Sequence, residues 1–123
     1  MQNKQQTPRS GKGFTIARVN QVSSDATAEG ADIAIGMFYI NAIPAAILFD
    51  SGATHSFMSS RYANTNELPL KNMKTPMIVI TPKGPVEANH MTCRLTLTIM
   101  GREFWATAII LEASSIDLIL GMS

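Results

Sequence analysis

From Ile33 onward the chain alternates short apolar runs with polar turns, and the spacing predicts strands. Ile33 to Ile40 reads as a strand with a weak point at Gly36, and Asn41-Ala42 turns the chain. The unbroken apolar run from Pro44 to Phe49 predicts a strand buried on both faces. Ser56 to Asn64 suits one short helix, with Ser56 or Ser59 as its cap. Met77 to Ile80 is a strand, Thr81-Pro82-Lys83-Gly84-Pro85 has the composition of a hairpin tip, and Val86 to Met91 returns from it. Cys93 to Met100 alternates, with Leu95, Leu97 and Ile99 set against Arg94, Thr96 and Thr98. Met100 to Glu103 forms a turn, Phe104 to Leu111 runs back, and Ile116 to Leu120 makes a last apolar strand ended by Gly121. Many short strands with close turns and no internal repeat point to a small barrel or sandwich. Upstream, residues 1–13 are polar, Phe14 to Val19 can form a short element, and Ser24 to Gly30 looks like a loop. The expected division is a flexible polar linker over 1–30 and a folded domain over 31–123.

Composition narrows the picture. The 123 residues suffice for one domain, and 46% apolar against 15% charged excludes a chain disordered throughout. A formal net charge of +1 provides no field to gather nucleic acid or a membrane surface. The single Cys93 excludes an internal disulfide, no run is apolar for long enough to span a bilayer, and the N-terminal Met1-Gln2-Asn3-Lys4-Gln5-Gln6 lacks the apolar run of a signal peptide. An intracellular, cytoplasmic protein is the expectation.

The chemistry concentrates at Asp50, where the apolar run Ala45-Ala46-Ile47-Leu48-Phe49 meets Asp50-Ser51-Gly52. By itself Asp-Ser-Gly is a common turn. Here the carboxylate ends a buried strand, Gly52 permits close approach of another chain, and Ser51 and Thr54 offer short hydroxyls to brace the loop. Two such carboxylates brought together share a proton and can act on water as base and on a carbonyl as acid. Neither a metal, a cofactor nor a covalent intermediate is needed. The rival signals are weaker. Asp117 begins an apolar strand and suits a strand-end role, and Asp25 and Asp32 sit in loop-like surroundings. His90, Cys93 and His55 are too few for a zinc site, and His90 and Cys93 fall on opposite faces of an alternating strand. The eight methionines are scattered and read as core filling, Trp105 as a strand residue facing the core or an interface, and the cations of residues 4–18 as a solvated tail.

The run Leu48-Phe49-Asp50-Ser51-Gly52-Ala53-Thr54-His55-Ser56-Phe57 resembles the active-site loop of retropepsins, above all the protease region of Ty3/gypsy-type LTR retrotransposon polyproteins. Thr81 to Pro85 lies where that family has its flap tip, and Ile116-Asp117-Leu118-Ile119-Leu120-Gly121 matches the strand that crosses beneath the catalytic loop. The resemblance spans about residues 31–122. It implies an all-β fold, a small closed barrel of the acid protease type with a flap hairpin and at most one short helix. It implies an aspartic endopeptidase acting on a Gag-Pol-type polyprotein, with Asp50 catalytic and Ser51 and Thr54 bracing the loop. Gly52, Ala53, Thr81, Pro82, Lys83, Gly84 and Pro85 would bind an extended substrate, and Leu118, Ile119, Leu120 and Gly121 would underlie the loop. One loop per chain implies a C2 homodimer whose Asp50 residues meet at the axis. Relatives continue beyond the final glycine where this sequence has only Met122-Ser123, so the domain is expected to be C-terminally truncated. A catalytically silent dimerisation or peptide-binding module is the alternative.

Overall fold

The computed structural model describes residues 15–19, 32–34, 38–50, 52–112 and 116–121, the 32–34 segment as backbone only. The elements are β1 (Thr15–Arg18), β2 (Asp32–Ala34), β3 (Phe38–Ile40), β4 (Ile43–Pro44), β5 (Ile47–Asp50), β6 (Phe57–Ser59), α1 (Ser60–Thr65), β7 (Leu70–Thr81), β8 (Gly84–Thr92), β9 (Leu95–Ile99), β10 (Arg102–Ala106), β11 (Ile109–Leu111) and β12 (Leu118–Gly121). An eight-stranded sheet runs β1-β7-β8-β11-β6-β12-β5-β2, and a four-stranded sheet runs β10-β9-β3-β4. The expected all-β class holds, with one short helix among the described residues.

The middle of the large sheet explains the apolar runs. Along β5, Ile47 joins a cluster with Phe38, Ile40, Leu95 and Leu97 of the small sheet. Leu48, one residue on, joins a second cluster with Ala17, Val79, Phe57 and Ile119. The same alternation splits Phe57 from Met58, Ile109 from Ile110, and Leu118 from Ile119. Successive strand residues point to opposite faces, so a strand covered on both sides must be apolar at every position. Parallel pairing of β12 with β5 and of β11 with β6 locks these strands into one layer.

Several elements differ from the sequence expectation. Residues 15–19, placed in the linker on composition, belong to the folded sheet: β1 lies parallel to β7, and Ala17 and Val19 are buried in the core. The rest of that linker, residues 1–14 and 20–31, lies outside the described residues. The segment 33–40 supplies two strands in different sheets, with Ile33 opposite Leu48 and Phe38 opposite Ile99. The helix begins at Ser60, because Phe57 and Met58 are claimed by strands on both sides and only afterwards is the backbone free to coil. Ser59 caps it, its Oγ accepting the Tyr62 N–H at 2.9 Å. At the other end Glu67 takes a φ of 53°, and Leu68 N–H bonds the Ala63 carbonyl at 3.0 Å, which closes the helix with a left-handed residue. The hairpin strands β7 and β8 are longer than the apolar pattern suggests, since their outer halves hold Lys71, Asn72, Lys74 and Thr75 in solvent. The return strand from Phe104 breaks at Thr107-Ala108. There Thr92 N–H bonds the Ala108 carbonyl at 2.8 Å and Thr92 Oγ1 accepts the Ala108 N–H at 3.0 Å.

Candidate active site

Asp50 is the last residue of β5, and its side chain points to the same face as Leu48 two positions earlier. It is 2% exposed, although it carries a carboxyl group and ends a strand. One of its oxygens, Oδ1, accepts the Gly52 N–H at 2.8 Å, and its carbonyl accepts the Ala53 N–H at 3.1 Å. The chain therefore turns tightly straight after the carboxylate, with a backbone donor fixing the carboxyl plane. Ala53 is buried in the same cluster as Leu48. Ser51, expected to brace the loop, lies outside the described residues.

Beneath this turn runs β12. Leu118, Ile119, Leu120 and Gly121 stand opposite Ile47, Leu48, Phe49 and Asp50 in parallel register. Gly121 is fixed by space: a Cβ there would meet the His55 carbonyl oxygen at 2.6 Å and the Ala53 carbonyl oxygen at 2.9 Å. Its N–H donates to Ser56 Oγ at 3.3 Å, and the Ser56 carbonyl accepts the Ile109 N–H at 3.0 Å. Ser56 thus ties the end of the loop to two neighbouring strands.

Thr54 braces the loop toward β1. Its Oγ1 accepts the Arg18 N–H at 2.9 Å, and its own N–H donates to the Arg18 carbonyl at 3.0 Å. His55 Nδ1 lies 3.0 Å from the same hydroxyl. The next residue of the incoming segment, Val19, donates its N–H to the Ile80 carbonyl at 3.0 Å. Residues 17–19 are therefore pinned between the candidate loop and the strand that leads to the hairpin tip.

That tip is the two-residue turn Pro82-Lys83 between Thr81 and Gly84. Thr81 Oγ1 donates to the Gly84 carbonyl at 2.8 Å and accepts the Lys83 N–H at 3.1 Å. Gly84 holds a φ of 115°, a conformation that side chains resist. Pro82, Lys83 and Pro85 are exposed. Behind the loop a cavity of about 150 Å³ is lined by His55, Ser56, Met73, Met77, Met91 and Ile109.

The rival carboxylate is structural. Asp117 Oδ2 accepts the Ala46 N–H at 2.8 Å, and its backbone bonds both Ala46 and Ser59, so it fastens the start of β5. Tyr62 lies close by, its hydroxyl donating to the Ile43 and Pro44 carbonyls at 3.2 Å each. Burial, and then the negative charge of Asp117, push its pKa up to about 12. Among the described residues no three His, Cys, Asp or Glu side chains gather to hold a metal ion. No helix there is long and apolar enough to cross a membrane. Trp105 is exposed rather than turned to the core, with the Arg94 guanidinium 4.5 Å from its ring centre.

The sequence pattern does not mark Arg18, Val19 and Ile80 as framing residues, and of the two cap candidates, Ser56 and Ser59, Ser59 takes the cap while Ser56 joins the loop. The alternation of small or apolar Ala17 and Val19 about Arg18 was the available signal, too short to outweigh the polar surroundings.

A buried aspartate closing an apolar strand, a tight glycine-containing turn after it and the parallel neighbour strand β12 make up the candidate site. The comparison with known families agrees: residues 13–123 match the retroviral aspartyl protease family, and the chain belongs to it. No curated protein matches the chain.

Proposed function

We propose that this chain is an aspartic endopeptidase that works as a C2 homodimer and cleaves a polyprotein of the retrotransposon type, with a pair of Asp50 carboxylates as its catalytic group. The observation that carries the reading is the setting of Asp50: buried, at the end of a strand apolar on both faces, with Oδ1 held by the Gly52 N–H. Membership of the retroviral aspartyl protease family supports the general activity. One such half-site per chain supports a symmetric pair, since a C2 axis would bring identical carboxylates face to face.

In the pair, two like charges at close range cannot both stay ionised, so the dyad holds one proton. The ionised oxygen takes a proton from water as the water oxygen bonds to the peptide carbonyl carbon. The protonated carboxyl gives its proton to the carbonyl oxygen. Collapse of the resulting gem-diol breaks the C–N bond, and the amine leaves with a proton returned through the dyad. Gly52 and Ala53 would offer backbone groups to the substrate. Thr81 to Pro85 would close over it as a flap and add a strand to either side.

The test is cleavage of a peptide library across mildly acidic pH by the parent chain and by Asp50→Asn, alongside sedimentation at rising concentration. The expected result is a concentration-dependent dimer whose turnover disappears in the variant. Equal turnover by parent and variant removes Asp50 from the mechanism, and a strict monomer removes the dyad.

A further inference from the structure

Strand β1 occupies an unusual place. It hydrogen-bonds on one side to β7, the strand that runs into the hairpin tip, in parallel register from Thr15 opposite Met77 to Arg18 opposite Ile80. On the other side it bonds the loop after Asp50 through both backbone groups of Arg18, to Thr54 N–H and Thr54 Oγ1. Its side chains alternate. Ala17 and Val19 are buried against Leu48, Ala53 and Val79, whereas Ile16 is 65% exposed and Arg18 faces solvent. An extended segment between a hairpin edge and the candidate catalytic loop, with backbone bonds for affinity and alternate side chains in pockets, is how a sheet binds a peptide. Leu48 and Asp50 share a face of β5, so the pockets filled by Ala17 and Val19 open on the side of the carboxylate.

We infer that residues 15–19 are a built-in occupant of the peptide groove, an intramolecular substrate mimic that excludes external peptides until it leaves. The inference rests on the peptidase reading only in taking this groove as the peptide site. It also defines the ligand class: an extended peptide with small apolar side chains at two positions two residues apart and a polar or solvent-tolerant residue between them. Because the occupant is tethered, it competes at an effective concentration in the millimolar range, and an external peptide of similar contacts binds weakly until the tethered one is weakened.

The test reads binding, so it is independent of whether Asp50 cleaves. A fluorescent peptide with the sequence of residues 13–20 is titrated into the full chain and into the full-length double variant Ala17→Asp/Val19→Asp. Charges in the two apolar pockets expel the resident segment and leave the pockets intact. The labelled peptide is expected to bind the variant at least about tenfold more tightly than the parent. A variant that melts cooperatively yet shows no gain overturns the inference. If the variant does not fold, amide exchange on the unmodified chain decides. With about 10 mM unlabelled peptide, above the tether's effective concentration, Val19 N–H should lose protection while Thr54 N–H keeps its own. Unchanged protection at Val19 would make β1 an integral strand and end the proposal.

Discussion

Gly121→Ala is the sharpest probe of how the candidate loop is held. The added Cβ would lie 2.6 Å from the His55 carbonyl oxygen and 2.9 Å from both the Ala53 carbonyl oxygen and the His55 carbonyl carbon. Relief to an ordinary contact needs a shift of about 0.5–0.8 Å, and the obstacles are backbone atoms of the very loop that carries Asp50. Neither side yields easily. Gly121 is registered opposite Asp50 by the β12–β5 ladder, and the loop is fixed by the Ser56 and Thr54 hydrogen bonds. Overpacking of this kind costs about 1–3 kcal/mol. Urea unfolding should show that loss as a lower midpoint at unchanged slope. Peptide turnover should fall by about a hundredfold if the displacement reaches the carboxylate, because a 1 Å misplacement near reacting groups has that effect. Gly101→Ala is the control: at a φ of 81° with nothing within 4 Å of the added methyl, it should cost about 1 kcal/mol in backbone strain and leave turnover alone. A Gly121→Ala chain as stable and as active as its parent would refute the account of β12 as a close-fitting floor.

Other substitutions separate structural from chemical roles. Asp117→Ala strips the Ala46 N–H of its acceptor and should lower unfolding free energy by about 2 kcal/mol in urea titrations, whereas Asp117→Asn, which keeps an acceptor oxygen, should cost less, and both should retain turnover in a dimer. Ala42 holds a φ of 69° beside Asn41 at 51° in the two-residue turn between β3 and β4, where Asn-Gly is the preferred pair, so Ala42→Gly should raise stability by about 0.5–1 kcal/mol in thermal melts. The Tyr62 pKa, raised from 10.0 to about 12, means that the fold keeps the phenol protonated more firmly than the unfolded chain does. That contribution is whole below pH 10 and is lost as pH rises through about 12, so unfolding free energy should fall across that window. Tyr62→Phe should flatten the fall while costing about 1 kcal/mol at neutral pH for the lost hydroxyl bonds to Ile43 and Pro44.

What the sequence made legible follows from how local each signal is. The two-faced apolar run before Asp50 marks a central strand by itself, and Leu118-Ile119-Leu120 does the same, whereas their proximity is implied only by the family resemblance. The tip at Pro82-Lys83-Gly84 is set by residues that fix their own backbone angles. Phe57 to Ser59 resisted because a three-residue strand is specified by its neighbours β11 and β12, while its own residues suit a helix as well. Strand β1 resisted for the same reason: Ala17 and Val19 acquire their burial from Val79, Leu48 and Ala53, residues far away in the chain. Trp105, read as facing the core or an interface, is not in the core: it is exposed, with an Arg94 stack at the surface.

The loop after Asp50 is thereby constrained from three directions by groups of different kinds. The floor is steric, at Gly121. The far end is tied through Ser56 to β11 and β12. The flank is held by backbone and hydroxyl bonds between Thr54 and Arg18. The first two belong to strands packed on both faces, whose opening requires the core to come apart. The third belongs to an edge strand with one sheet neighbour and two buried side chains, and edge strands with few buried contacts are where local opening is cheapest. A peptidase needs its carboxylate rigid and its groove open. This division of labour meets both demands at once, because β1 can depart and leave the floor and the Ser56 tie in place.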